Sequence, residues 1–199
     1  MSQDVDFLLK IGYLHIKNLI SDPDQMIIPP PPEEKSKAIH FNSDETIKSI
    51  ENLENTKSIV LFNYPQYSIL VRPIKNEIET IIGEEIFPTY IANRYYFSGD
   101  EMIKCDGKPT EEINVTIPIN SLYSQTSKTW VKTRLGDEIL INLEPGDALI
   151  RLGQATQSWK EPVKKNKNLF MRHKEAYNHV LYLNYVRADG HNVHYAGRC

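Results

Sequence analysis

Cysteine is scarce: the 199 residues contain two, Cys105 and Cys199. A disulfide framework is therefore not expected, and a reducing compartment is. Long apolar runs are missing as well. None reaches the roughly 18 residues that a membrane-spanning helix needs. The opening "MSQDVDFLLK" carries acids where a secretory leader carries bases, so no leader is read there. Neither sign of charge dominates, with 23 Lys and Arg against 26 Asp and Glu and a net charge of -3. Such a balance gives no electrostatic grip on nucleic acid or on an anionic membrane. The short basic run Lys164, Lys165, Lys167 reads as a solvated loop. Signature motifs are absent too: there is no P-loop, GxGxxG, HExxH or CxxC. Ser158 lacks a G-x-S-x-G context, and the neighbours of Cys105 single out no base for a catalytic thiol. These absences lead to the expectation of a cytoplasmic protein, intracellular and either host or viral, with no nucleic-acid and no membrane partner.

A chain of this length, 40% hydrophobic and 25% charged, can bury a sizeable core as one compact domain. Its patterning divides in two. Residues 1–85 read as an N-terminal elaboration of helices and loops, and residues 86–199 as a run of strands. "GYLHIKNLIS", residues 12–21, alternates as a short strand does, and His15 within it reads as a hydrogen-bonded surface residue. Pro29 to Pro32 form a stiff extended connector, because each ring removes an N–H donor and fixes φ. Asn42 and Glu45 have the spacing of a capping box, which predicts a helix through Ile47, Ile50 and Leu53. A second helix is predicted after Pro73, where Ile74, Ile78, Ile81, Ile82 and Ile86 recur at helical spacing. Its apolar stripe should pack on the outside of a sheet. The period then changes to two. "INVTIPI", "EILINL", "GDALIRLG" and "HVLYLNYV" are short strands parted by Gly, Pro and Asp turns, which indicates an all-β barrel or sandwich.

Four stretches resemble one family in the right order. "PTYIANRYYFSGDEM" (88–102) is similar to the first core strand of the Fe(II)- and 2-oxoglutarate-dependent dioxygenases, in their prolyl-4-hydroxylase-like group. "KPTEEINVTIPI" (108–119) is similar to the strand after that family's first metal motif. "LEPGDALIRLGQATQSWKEP" (143–162) resembles the paired strands that carry its last metal ligand, and "HVLYLNYVRADG" (179–190) its closing strand. The resemblance implies a mainly β (α+β) fold: a double-stranded β-helix, a jelly-roll or cupin-like barrel, flanked by N-terminal helices.

That family holds Fe(II) with two histidines and a carboxylate, given as H-x-D and a later His before a Trp. Carried onto this sequence, the three positions are Cys105, Gly107 and Ser158, while Pro109, Glu112, Trp159, Glu161 and Pro162 keep the surrounding motif. The triad is thus degenerate at every position, and no metal or cofactor is expected. A rebuilt site from Asp106, His173 and His179 is the alternative, with Fe(II) and 2-oxoglutarate as its cofactors. 2-Oxoglutarate also needs a cation for its distal carboxylate. Arg94, Arg151 and Arg187 are on predicted strands, and Arg94 falls where the resembling motif has an Arg. Tyr90 and Tyr96 could add hydroxyl donors. The other reading of Arg94 is an internal ion pair with Glu112.

Two functions follow from the resemblance. The first is a pseudo-oxygenase that keeps the fold without the iron and serves for binding, of protein partners or a small carboxylate, or as a structural subunit. The second is an active oxygenase or hydroxylase with a non-standard metal or co-substrate site. A plain protein–protein module is the practical form that the first would take.

Overall fold

The computed structural model describes residues 3–30, 35–44, 46–100, 104–124, 128–164 and 175–197. They hold two helices, α1 (Gln3–Ile11) and α2 (Ser68–Ile82). Four strands precede the barrel: β1 (Tyr13–Ile16), β2 (Lys37–Phe41), β3 (Ile47–Asn52) and β4 (Ile59–Phe62). Eight more follow: β5 (Ile86–Phe97), β6 (Lys104–Asp106), β7 (Ile113–Leu122), β8 (Lys128–Lys132), β9 (Glu138–Asn142), β10 (Ala148–Leu152), β11 (Gln157–Lys160) and β12 (Tyr177–Arg187). An eight-stranded sheet has the order β1-β10-β7-β12-β5-β4-β2-β3, and a four-stranded sheet the order β6-β11-β8-β9. From β5 to β12 the chain winds back and forth between the sheets, and all pairs among these strands are antiparallel. This is the double-stranded β-helix expected from the core strands.

The large sheet has two unlike faces. Successive side chains of a strand point to opposite sides. On β7, Ile113, Val115, Ile117 and Ile119 are all fully buried on the side that faces the helices. Ala148, Ile150 and Leu152 of β10 and Leu181 and Leu183 of β12 join them. Ile74, Ile78 and Ile82 of α2 and Leu8 of α1 close this core from above. The expected packing of the isoleucine helix on the sheet is therefore present. α2 ends at Gly83, whose φ of 74° is left-handed and whose N–H reaches the Glu79 carbonyl at 2.8 Å.

Several expectations for the N-terminal part are corrected. Residues 42–53 form no helix. β2 and β3 are an antiparallel hairpin, and Asn42, Asp44 and Thr46 make its turn instead of a helix cap. The Asn42 N–H donates to the Thr46 carbonyl at 2.9 Å, and the Thr46 N–H to Asp44 Oδ1 at 3.2 Å. Glu45, the other half of the supposed capping box, lies outside the described residues, as do Pro31 and Pro32. The second helix begins at Ser68, so Pro73 sits inside it. The lost N–H bond is offset by burial of the Ile74, Ile78 and Ile82 stripe. Ile86 belongs to β5, because Gly83 has already ended the helix. The N-terminal part also supplies β1 on one side of the barrel sheet and β4, β2 and β3 on the other.

His15 is half-buried on β1, with Nε2 3.0 Å from Asp147 Oδ2, in line with its reading as a hydrogen-bonded residue. Burial alone would raise the Asp147 carboxyl. The Asn18 N–H, Lys17, His15 and the Glu144 N–H outweigh it and hold the group at about 2. No helix among the described residues is long and apolar enough to cross a membrane.

Ile78 and Ile50 test these assignments together. Ile78 is fully buried on the sheet-facing side of α2, and Ile50 is 46% exposed on the edge strand β3. Ile78→Ala should cost about 2–5 kcal/mol in urea denaturation, and Ile50→Ala about 0.5 kcal/mol or less.

Candidate functional site

The second face of the large sheet is polar and looks into the barrel. On β5 this face carries Tyr90, Ala92, Arg94 and Tyr96, all of which line one cavity of about 800 Å³. Tyr182 and Asn184 of β12, Asn114 of β7 and Arg151 of β10 line it as well. The strand register explains the convergence. Asn184 stands opposite Tyr90 on one side and Asn114 on the other, and Asn114 stands opposite Arg151. Hydrogen bonds follow that row. Arg151 Nη2 donates to Asn114 Oδ1 at 3.1 Å, and Asn114 Nδ2 to Asn184 Oδ1 at 2.7 Å. Arg151 is only 1% exposed, so this charge is held inside the protein.

Tyr90, Arg94 and Tyr96, named from the sequence as carboxylate contacts, thus share one wall. The Arg94 guanidinium lies over the Tyr96 ring, 4.7 Å from its centroid, in cation–π geometry. Tyr96 and Tyr182 share a hydroxyl contact of 2.5 Å, and the Tyr90 hydroxyl donates to Glu111. Glu112, the candidate partner of Arg94, turns elsewhere. It accepts the Arg187 N–H and the Asn192 side-chain amide, each at 2.7 Å. Arg187 itself pairs with Glu84 at 2.9 Å and does not line the cavity.

The three positions that the resemblance gives for the metal ligands lie on or directly after the paired strands β6 and β11. Cys105 and Ser158 are paired residues across β6 and β11, and Ser158 is buried. Beside Ser158 is a second, small cavity of about 10 Å³, bounded by Thr116, Thr129, Lys160, Tyr96 and Tyr182. Gly107 follows directly on β6. A Cβ on Gly107 would fall inside the Gly153 carbonyl, and a Cβ on Gly153 inside the Glu111 carbonyl. The backbone of Gly153 and Gln154 therefore stands where a side chain at position 107 would have to go, and the Glu111 backbone closes the position of a side chain at 153. The side chains of Cys105 and Asp106, and all of His173, lie outside what the structure describes. Among the described residues no group of three His, Cys, Asp or Glu is arranged to hold a metal.

His179 is on the helix-facing side of the sheet and does not reach the cavity. It is fully buried, stacked on Tyr95 with ring centroids 4.5 Å apart. Its Nε2 bonds Asn93 Oδ1 and lies 3.3 Å from the Tyr67 hydroxyl, which donates to the Met26 carbonyl. Burial pushes the imidazole down to about 3, and raises the hydroxyls of Tyr67 and Tyr95. This network ties the N-terminal segment to the sheet.

Lys160, Asn114, Asn184 and Glu111 were not anticipated from the sequence. The available signal for Lys160 was its position two residues after Ser158, which puts both on one face of β11. Lys160 Nζ donates to Thr129 Oγ1 at 3.1 Å inside the barrel. Trp159 points outward from the same strand and stacks with Trp130 at an interplanar angle of 4°. Glu161 accepts the Trp130 indole N–H at 3.1 Å.

No protein-family model matches the sequence, and no curated protein does. Solved structures match it in fold. An oxidoreductase of the 2OG-Fe(II) oxygenase family from Burkholderia pseudomallei is 12% identical, with 98% of this chain and 91% of that one aligned at a TM-score of 0.60. HygX from Streptomyces hygroscopicus, solved with nickel and 2-oxoglutarate bound, is 6% identical over 92% of this chain and 87% of its own, with a TM-score of 0.57. A prolyl hydroxylase from Trichoplax adhaerens, solved with a hypoxia inducible factor peptide fragment, is 8% identical over 90% and 86%, with a TM-score of 0.56. At these identities the likeness is one of fold, and the fold is that of the Fe(II)- and 2-oxoglutarate-dependent oxygenases.

Two outcomes are expected from the site's geometry. Gly107→Ala should cost about 3 kcal/mol in chemical denaturation, since the Gly153–Gln154 backbone must move away to admit a methyl group. His179 should make stability depend on pH. Its folded value lies below the unfolded 6.5, so its contribution is complete above pH 6.5. The contribution is lost as pH falls towards 3, because the unfolded chain takes up a proton that the folded chain refuses. Thermal melts of the native protein and of His179→Gln should therefore converge as pH is lowered from 7 to 5.

Proposed function

We propose that the chain is a pseudo-oxygenase: it keeps the double-stranded β-helix of the Fe(II)- and 2-oxoglutarate-dependent oxygenases, has lost the iron ligands, and uses the barrel for binding or as a structural subunit. The packing at Gly107 carries this reading. In the resembling family a carboxylate ligand occupies that position. Here the carbonyl of Gly153 occupies the space a side chain would need. The position is closed, so replacement of the residue alone could not restore the ligand.

The other two positions support the same reading. Ser158 offers a neutral hydroxyl where the family has an imidazole, a weaker donor for Fe(II). The space beside it, about 10 Å³, admits about one water molecule. A dicarboxylate chelated at that point has no room, because Tyr96, Tyr182 and Lys160 fill the barrel there. Among the described residues, those at these positions do not fit Fe(II) with 2-oxoglutarate, and no oxygenase step is derived through them.

An anaerobic calorimetric titration with Fe(II) or Mn(II), with and without 2-oxoglutarate, tests the reading. No heat and no thermal shift are expected. A ligand that binds the native state at a hundred times its Kd would stabilise it by about 2.7 kcal/mol. Metal-dependent binding of 2-oxoglutarate with a shift of that order would overturn the proposal and favour an active oxygenase with a rebuilt site.

A further inference from the structure

We propose that the large cavity binds a small organic anion with a flat or extended apolar body, its acidic group at Arg94 and its body along β5, β4 and β2. The inference deepens the metal-free reading above and rests on it.

The strand register builds the shelf. Arg94 stands opposite Val60 of β4, and Val60 opposite Ala38 of β2. One step along the strands, Ala92 stands opposite Phe62, and Phe62 opposite His40. Ala38, Val60 and Ala92 form one buried apolar cluster with Phe62 and Tyr90 packed against it, and all five line the cavity. The four-stranded sheet meets β5, β7, β10 and β12 through the small inner cavity and the Val131, Ile141, Leu149 cluster. The shelf lies beyond those strands, so the cavity continues past the barrel over an apolar floor.

Charge points the same way. The chain is acidic overall, with a net charge of -3. The cavity wall nevertheless carries Arg94, Arg151, Lys104 and Lys108 against Glu51 and Glu111. Glu111 accepts the Tyr90 hydroxyl, and Glu51 lies 3.6 Å from His40 Nε2 at the rim. Arg94 is half-buried beside the apolar shelf, where its attraction for an anion is less screened than in water. A guanidinium is also the cation that grips a carboxylate with two parallel hydrogen bonds. A volume of about 800 Å³ falls within the range of pockets for small organic molecules. An acid with a hydrocarbon or aromatic body matches both the cationic point and the floor, whereas a compact dicarboxylate would leave the floor bare.

Calorimetry in EDTA with 1-naphthylacetate and decanoate, each beside its neutral amide, tests the proposal. At least one acid should bind ten or more times tighter than its amide. Arg94→Gln should abolish that preference while leaving the amide's affinity within twofold. Phe62→Ala should weaken acid and amide alike, which separates the floor from the charge even if one variant is unstable. Equal affinity of acid and amide, no binding of any probe, or a preference that survives Arg94→Gln would overturn the anion site. Repeating the titration with Mn(II) distinguishes the two proposals. Affinity unchanged by Mn(II) supports both, whereas acid binding that appears only with Mn(II) overturns the metal-free reading.

Discussion

The side chains of β5, β7, β10 and β12 divide between the two faces of one sheet, and each face determines a different part of the molecule. The isoleucine and valine side chains of β7 go to the helices and build the main core with α1 and α2. Their neighbours Asn114 and Thr116 go to the barrel with Arg151 and Asn184. Burying apolar area on the helix side supplies most of the stabilisation. The barrel side can therefore hold polar groups, provided they bond to one another. The Arg151–Asn114–Asn184 row meets that condition, since each member bonds the next across the strands. Shifting β7 by one residue would put isoleucines into the cavity and asparagine into the core.

The barrel mouth is set by a second constraint, the contact of Gly107, Gly153 and Glu111. It joins the end of β6, the turn between β10 and β11, and the approach to β7. The Gly153 N–H also donates to the Glu112 carbonyl at 3.0 Å. Side-chain-free backbone here lets these segments approach closely. The polar groups that remain inside, Lys160 with Thr129 and Tyr96 with Tyr182, bond each other instead. The larger cavity runs over β5, β4 and β2, with Arg94 in its lining.

Much of this was legible in the sequence, for identifiable reasons. β7, β10 and β12 alternate clearly because one of their faces is uniformly apolar. Residues 42–53 misled because Ile47, Ile50 and Leu53 keep a spacing of three, which a helix and an exposed edge strand can both show. The turn chemistry of Asn42, Asp44 and Thr46 was the better guide. β2 and β4 are short apolar runs whose pairing depends on β5, far along the chain. The barrel-facing polar residues were hidden for a different reason. Alternation separates two faces, but a polar face reads alike whether it meets solvent or a cavity, so nothing in the pattern marks Lys160, Asn114 and Asn184 as cavity positions. His179 shows the converse, a histidine whose neighbours in sequence could not tell which side it faced.

The proposed loss of the metal site rests on the backbone contact at Gly107, where the resembling family has its carboxylate ligand. The most direct measurement is a two-dimensional amide NMR spectrum of the isotopically labelled protein, recorded without oxygen before and after Mn(II) is added with 2-oxoglutarate. A paramagnetic ion at that point would erase the amide signals of Gly107, Gly153, Gln157 and Ser158 first. The account predicts that these signals persist and that any broadening is confined to scattered surface carboxylates. Selective loss of these signals would place a metal at the barrel mouth and contradict it.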